Sequence, residues 1–144
     1  MRRRRKRAPI SLPPDFIRFV PQNGQDSDCY VSTLGTIFGW TRDEALVICG
    51  TVAPQVLATG MDDEEVDRAL MQAGARYRRL RPGEYDLHDA TGVLTVTKKR
   101  GPYHVVVLWA GRIIEGNGEH WLDPNDYFEH YGGTPGELLV REDE

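Results

Sequence analysis

The sequence has few cysteines and no long apolar run, and these absences exclude several classes of protein. Its 144 residues include two cysteines, Cys29 and Cys49, which are too few for a disulfide framework or a cysteine-based zinc site. No apolar run reaches the roughly 18 residues that a transmembrane helix needs. Internal repeats are also missing. The length therefore predicts one domain that buries its own core.

The histidines lack the spacing of a metal site. His120 and His130 are ten residues apart, without the i, i+4 pairing that brings two ligands to one helix face, and His88 stands apart from both. Cys49 lies in the apolar stretch 46–50 and is expected to be a core thiol. We therefore predict neither a metal nor a cofactor.

Charge is distributed unevenly along the chain. Six basic residues follow the first methionine: Arg2, Arg3, Arg4, Arg5, Lys6 and Arg7. Without them, 12 basic residues face 22 acidic ones, so an acidic body of charge −10 carries a basic arm. Such an arm can contact nucleic-acid phosphates, an acidic partner in a protein assembly, or the acidic body itself.

The stretch after the basic run does not resemble an export signal. Residues 8–14 are too short and too rich in proline for the apolar part of a secretory signal. We expect a cytoplasmic protein or one held within a larger particle. Residues 1–14 are predicted to be a basic, proline-rich arm, and residues 15–144 a single domain.

Helical patterns fill the first half of that domain. We predict a helix from Cys29, with Asp28 as its N-cap, to Gly39 or Trp40. A capping box predicts a second helix over 41–49. A third helix is predicted to carry the acidic run 62–65 in its first turn. Gly50 is expected to end the second helix and Gly74 the third. The apolar stripe that buries the third helix is predicted to consist of Val66, Leu70 and Met71.

Strand patterns dominate the second half. The predicted strands are 75–80, 92–97, 103–109, 112–115 and, as an edge strand, 138–141, with a further extended segment at 16–20. Ala110 and Gly111 form a tight hairpin turn, and Asp123 and Pro124 begin a last helix over 124–131. Helices followed by an antiparallel sheet define an α+β fold.

The residues with chemical potential stand where these elements begin. Cys29 follows a polar loop and opens a helix, where the positive end of the helix dipole favours a thiolate. His104 opens a strand and can act as the base that a thiol nucleophile requires.

Two further roles have alternative candidates. Glu115 or Asn117 shares a strand face with Ile113 and can orient the imidazole of the histidine. Gln22 or Gln25 can donate a side-chain amide to an oxyanion, beside the backbone N–H of Cys29.

The chain resembles the papain-like cysteine peptidases, most of all the bacteriocin-processing (double-glycine) group and its small stand-alone relatives. The resemblance covers residues 15–131 and includes these positions: Gln22, Asp28-Cys29, Gly60 to Gly74, His104-Val-Val-Val, Glu115 or Asn117, and Asp123 to Phe128. It implies N-terminal helices packed on a C-terminal antiparallel sheet. It also implies a peptidase or amidase that hydrolyses a peptide or protein substrate through a Cys-His pair.

Two departures from the family pattern indicate other functions. Tyr30 stands where the family has glycine, and Asp123-Pro124 lies too far along the chain to supply the usual third member. One alternative is an inactive papain-like subunit of a larger assembly, such as a phage particle, anchored by its basic arm. Another is a nucleic-acid accessory protein, whose contacts would be nonspecific because the arm lacks aromatic residues.

Overall fold

The computed structural model of the chain describes residues 29–56, 60–97, 104–114 and 121–142. Within these ranges the helices are α1 (Cys29–Phe38), α2 (Arg42–Val52), α3 (Asp63–Gln72) and α4 (Pro124–Tyr131). The strands are β1 (Tyr77–Leu80), β2 (Gly92–Thr97), β3 (His104–Trp109), β4 (Arg112–Ile114), β5 (Trp121–Leu122) and β6 (Thr134–Arg141). The predicted α+β class is confirmed. The basic arm, the extended segment 16–20 and the Asp28 cap lie outside the described residues.

The six strands form one antiparallel sheet in the order β1-β6-β2-β3-β4-β5. The prediction that 138–141 is an edge strand is wrong, because β6 pairs with β1 on one side and β2 on the other. Leu138 and Leu139 are both buried, because apolar layers cover both faces of the sheet at this strand. The two-residue β5, which the sequence pattern did not predict, lies at one edge and β1 at the other.

Each face of the sheet carries its own apolar layer. Val93, Val107 and Leu139 share one buried cluster with the residues of α1, α2 and α3. Leu94 and Val106, their neighbours along β2 and β3, belong to a second cluster with Tyr127 of α4. Successive side chains of a strand point to opposite faces, so β2 and β3 are buried on both sides. This explains their nearly continuous apolar sequences.

The central helix is α1. Residues 30–38 are all buried, although they include Ser32, Thr33 and Thr36. The Thr36 hydroxyl donates to the Ser32 carbonyl at 2.9 Å, as a buried hydroxyl requires. After Phe38 the Trp40 amide donates to the Gly35 carbonyl at 2.9 Å, which closes the last turn at the predicted position.

Two capping boxes begin the next helices. Thr41 Oγ1 accepts from the Glu44 amide and the Glu44 carboxylate accepts from the Thr41 amide, at 3.1 and 2.9 Å. Asp62 and Glu65 form the same reciprocal pair, at 2.8 and 3.0 Å. Each box satisfies backbone N–H groups that have no partner inside the helix. The predicted starts of both helices are therefore confirmed.

The predicted ends and buried faces need two corrections. Gly50 does not end α2, because the helix continues to Val52 and the Ala53 amide still donates to the Cys49 carbonyl at 2.8 Å. Met71 does not belong to the buried stripe of α3, since it is 72% exposed. Ala69 occupies that stripe instead, with Val66 and Leu70.

The last hairpin and helix follow their predictions. Ala110 and Gly111 have φ of +47° and +77°, as in the type I′ turns that suit the twist of a β-hairpin. The Asp123 carboxylate accepts from the Asn125 amide at 2.9 Å and caps α4, whose bounds are the predicted 124–131.

Candidate functional site

Two predicted site residues lie in the described part of the chain. Cys29 belongs to α1 and His104 to β3, and each residue opens a described range of the chain. The candidates for the other two roles lie outside the described residues: Gln22, Gln25, Glu115 and Asn117.

The helix that begins at Cys29 packs against the strand that begins at His104. Val31 and Leu34 of α1 belong to the same buried cluster as Val105 and Val107 of β3. Both elements are buried within the domain, so their backbones are held firmly relative to each other.

A chain of polar contacts fixes the direction of α1 over the sheet. The Tyr30 hydroxyl donates to Asp63 Oδ1 at 3.4 Å, and Arg79 Nη1 lies 3.9 Å from the same oxygen. Arg79 Nη1 also pairs with Glu137 of β6 at 3.5 Å. The first turn of α1 therefore lies towards the part of β6 that contains Glu137.

The strand register relates Glu137 to the beginning of β3. A bulge in β6 sets Glu137 beside Thr95 of β2, between the pairs Leu94–Leu138 and Val96–Pro135. Thr95 in turn pairs with Val105, the neighbour of His104. The first turn of α1 and the first residues of β3 thus lie towards the same end of the sheet.

The register also assigns His104 to a face of that sheet. His104 pairs with Val96, and both alternate in phase with Val106, which belongs to the α4-side cluster. Val105, which is out of phase with them, packs with α1. His104 therefore lies on the face of the sheet opposite α1.

Arg79 is the centre of the charged network beside α1. Its Nε and Nη2 donate to Asp67 Oδ1 at 3.2 and 3.1 Å, and the Tyr77 hydroxyl donates to the same oxygen at 2.8 Å. Burial disfavours the charged guanidinium, but the Asp67 hydrogen bonds and the charges of Asp67, Asp63 and Glu137 outweigh burial and raise the pKa of Arg79. Arg79 therefore remains charged and holds β1, β6 and α3 together.

The second cysteine occupies a different environment. Cys49 of α2 is fully buried among apolar residues, and burial raises the pKa of its thiol to about 12. A thiol that stays protonated is a poor nucleophile. The prediction that Cys49 is a core thiol is confirmed.

Across the four described ranges, no cluster of three His, Cys, Asp or Glu residues could hold a metal ion.

The network of Arg79 was not predicted, although the sequence contains a pattern that indicates it. Asp63 and Asp67 are four residues apart and share one face of α3, while Tyr77 and Arg79 are two apart and share one face of β1. Two acidic groups on one face and matching donors on the other indicate a contact between helix and strand. That Tyr30 joins them depends on the packing of α1.

Comparisons with models of known protein families and with curated proteins each found no match. No helix in the described part of the chain is long and apolar enough to cross a membrane.

Proposed function

We propose that the protein is a small papain-like cysteine peptidase or amidase, with Cys29 as nucleophile and His104 as base. The observation that carries this proposal is the packing of α1 against β3, because Cys29 belongs to α1 and His104 to β3. The common direction of the first turn of α1 and the beginning of β3 adds support.

The chemistry follows from these positions. Cys29, as the thiolate, attacks the carbonyl carbon of a peptide or amide, and His104 holds the proton of the thiol. The imidazolium returns that proton to the leaving amine, and water then hydrolyses the acyl-enzyme. Backbone N–H groups in the first turn of α1 would stabilise the oxyanion. Gln22 or Gln25 would assist there, and Asn117 or Glu115 would orient the imidazole.

The test is covalent labelling of the full-length chain by a peptide that carries a thiol-reactive group. We expect labelling at Cys29, with Cys29→Ala unlabelled and His104→Ala slower by roughly a hundred-fold, the lower range of general base catalysis. Cys49→Ala is the matched control and should label like the parent, because Cys49 is buried. Circular dichroism checks that each variant is folded.

Equal labelling of Cys29→Ala and the parent would exclude Cys29 as the nucleophile. Labelling that is lost in Cys29→Ala but unchanged in His104→Ala would retain the nucleophile and remove His104 from the site.

One observation favours a second function, a papain-like subunit without activity in a larger assembly. The register of β3 assigns His104 to the face opposite α1. In that function Cys29 would be an ordinary helix-start thiol, and the basic arm of residues 2–7 would contact an acidic partner or nucleic acid. An unreactive Cys29 in a folded protein is the result expected from this alternative.

A further inference from the structure

Tyr30 directly follows the proposed nucleophile and is tied to two other elements. Its ring is buried at 5% exposure, and its hydroxyl donates to Asp63 Oδ1 at 3.4 Å. Asp63 is the first residue of α3. Arg79 of β1 approaches the same residue twice, with Nη1 at 3.9 Å from Oδ1 and Nη2 donating to the backbone carbonyl at 3.5 Å.

Arg79 is itself held in place, so the chain of contacts ends on a fixed group. Two of its nitrogens donate to Asp67, and its Nη1 pairs with Glu137. The side chain of Arg79 is 22% exposed. Because Asp67 belongs to α3 and Glu137 to β6, the guanidinium cannot follow one element without losing its contact with the other.

We propose that Tyr30 is a positioning residue, whose hydroxyl, held by Asp63 and Arg79, fixes the first turn of α1 and with it the direction of Cys29. This inference rests on the proposed function of Cys29. A first helical turn has N–H groups without intrahelical partners and frays more easily than the interior. A buried ring anchored at its far end opposes that fraying at the residue next to the nucleophile.

The strength of the contacts distinguishes positioning from global stabilisation. The Asp63 side chain is 60% exposed, so its ion pair with Arg79 contributes little to the stability of the whole domain. Loss of the Tyr30 hydroxyl should therefore alter the first turn of α1 more than it alters the unfolding of the protein.

The chain offers a matched control for the experiment. Tyr30→Phe and Tyr77→Phe each remove one hydroxyl that donates to an aspartate of α3. Only Tyr30 adjoins Cys29. We would compare these variants, Asp63→Ala and the parent by hydrogen exchange of the peptide that contains α1, and by the rate of Cys29 alkylation by iodoacetamide against pH.

Tyr30→Phe and Asp63→Ala each remove the hydrogen bond between Tyr30 and Asp63, so both should exchange faster in the first turn of α1. Both should react at Cys29 with a rate changed by roughly ten-fold, since small displacements of a reacting group are costly. Tyr77→Phe should match the parent in both measurements. The inference would be overturned if hydrogen exchange in Tyr30→Phe matched that of the parent. Equal effects of Tyr30→Phe and Tyr77→Phe would overturn it as well.

The two readouts separate this inference from the proposed function. Faster exchange in Tyr30→Phe supports the anchor whatever the reactivity of Cys29. A parent whose Cys29 reacts like an ordinary thiol would refute the proposed function, and that result is read without any Tyr30 variant.

Discussion

Burial of Cys49 should make the folded protein less stable in alkaline solution. Burial raises the pKa of this thiol from 9.0 to about 12 in the folded chain, while the unfolded chain exposes it to water. Between these values the unfolded state has released the thiol proton and the folded state retains it. The free energy of unfolding therefore falls as the pH rises through this interval, and below it Cys49 adds no pH dependence.

The size of the effect follows from the two pKa values. Each unit of difference corresponds to about 1.4 kcal/mol, so the contribution at about pH 10.5 is a loss of about 2 kcal/mol relative to about pH 8. Over the whole interval from 9.0 to about 12 the loss would approach about 4 kcal/mol.

Urea unfolding under reducing conditions, at several values between about pH 8 and about pH 10.5, measures this loss. Cys49→Ala is the control, since it removes the thiol and adds only an offset that does not vary with pH. Tyr77 and Tyr85, whose pKa values burial also raises, titrate in both proteins and cancel. Parallel plots of unfolding free energy against pH for the parent and Cys49→Ala would refute the reasoning.

Two further predictions use matched pairs of substitutions, both measured by urea unfolding. Gly111→Ala should destabilise the protein by about 3 kcal/mol or more, because the residue has a positive φ and a Cβ there would collide with the backbone of His88. Gly74→Ala should cost only about 1 kcal/mol, because Gly74 also has a positive φ but has open space around it. Similar losses would contradict the described turn. Leu94→Ala should cost about 2–5 kcal/mol because Leu94 is fully buried, and Met71→Ala less than about 0.5 kcal/mol because Met71 is exposed. A costly Met71→Ala would restore the predicted stripe of α3.

Helix limits were predictable where local chemistry decides them. Thr41 with Glu44, and Asp62 with Glu65, form the reciprocal hydrogen bonds that their spacing predicts. The cap at Asp123 likewise begins α4 at the expected residue. These contacts join residues three apart or fewer, so the sequence contains both partners in one short window.

Pairing between distant residues was not predictable in this way. The last strand, β6, lies between β1 and β2, although more than 35 residues separate its first residue from the end of β2. The sequence pattern of 138–141 does not indicate which strands pair with it. The same limit applies to Met71, because the neighbours of α3 decide which residues of its apolar stripe are covered.

In the candidate site, too, local features were predictable and long-range packing was not. The sequence pattern predicts that Cys29 belongs to a helix and His104 to a strand, and the described structure agrees. Alternation also predicts that His104 shares a face with Val106. Which of the two faces α1 covers depends on the packing of the whole sheet, and so does the contact between Tyr30 and Asp63.

The rate of Cys29 alkylation against pH, measured in the parent and in His104→Ala, tests the proposed catalytic pair most directly. If His104 activates Cys29, the thiol of the parent reacts as a thiolate at pH values well below ~8.5, the pKa typical of a free cysteine. His104→Ala then shifts the reaction profile to higher pH. If both proteins give one superimposable profile centred near ~8.5, His104 is not the partner of Cys29 and the proposed enzyme is contradicted.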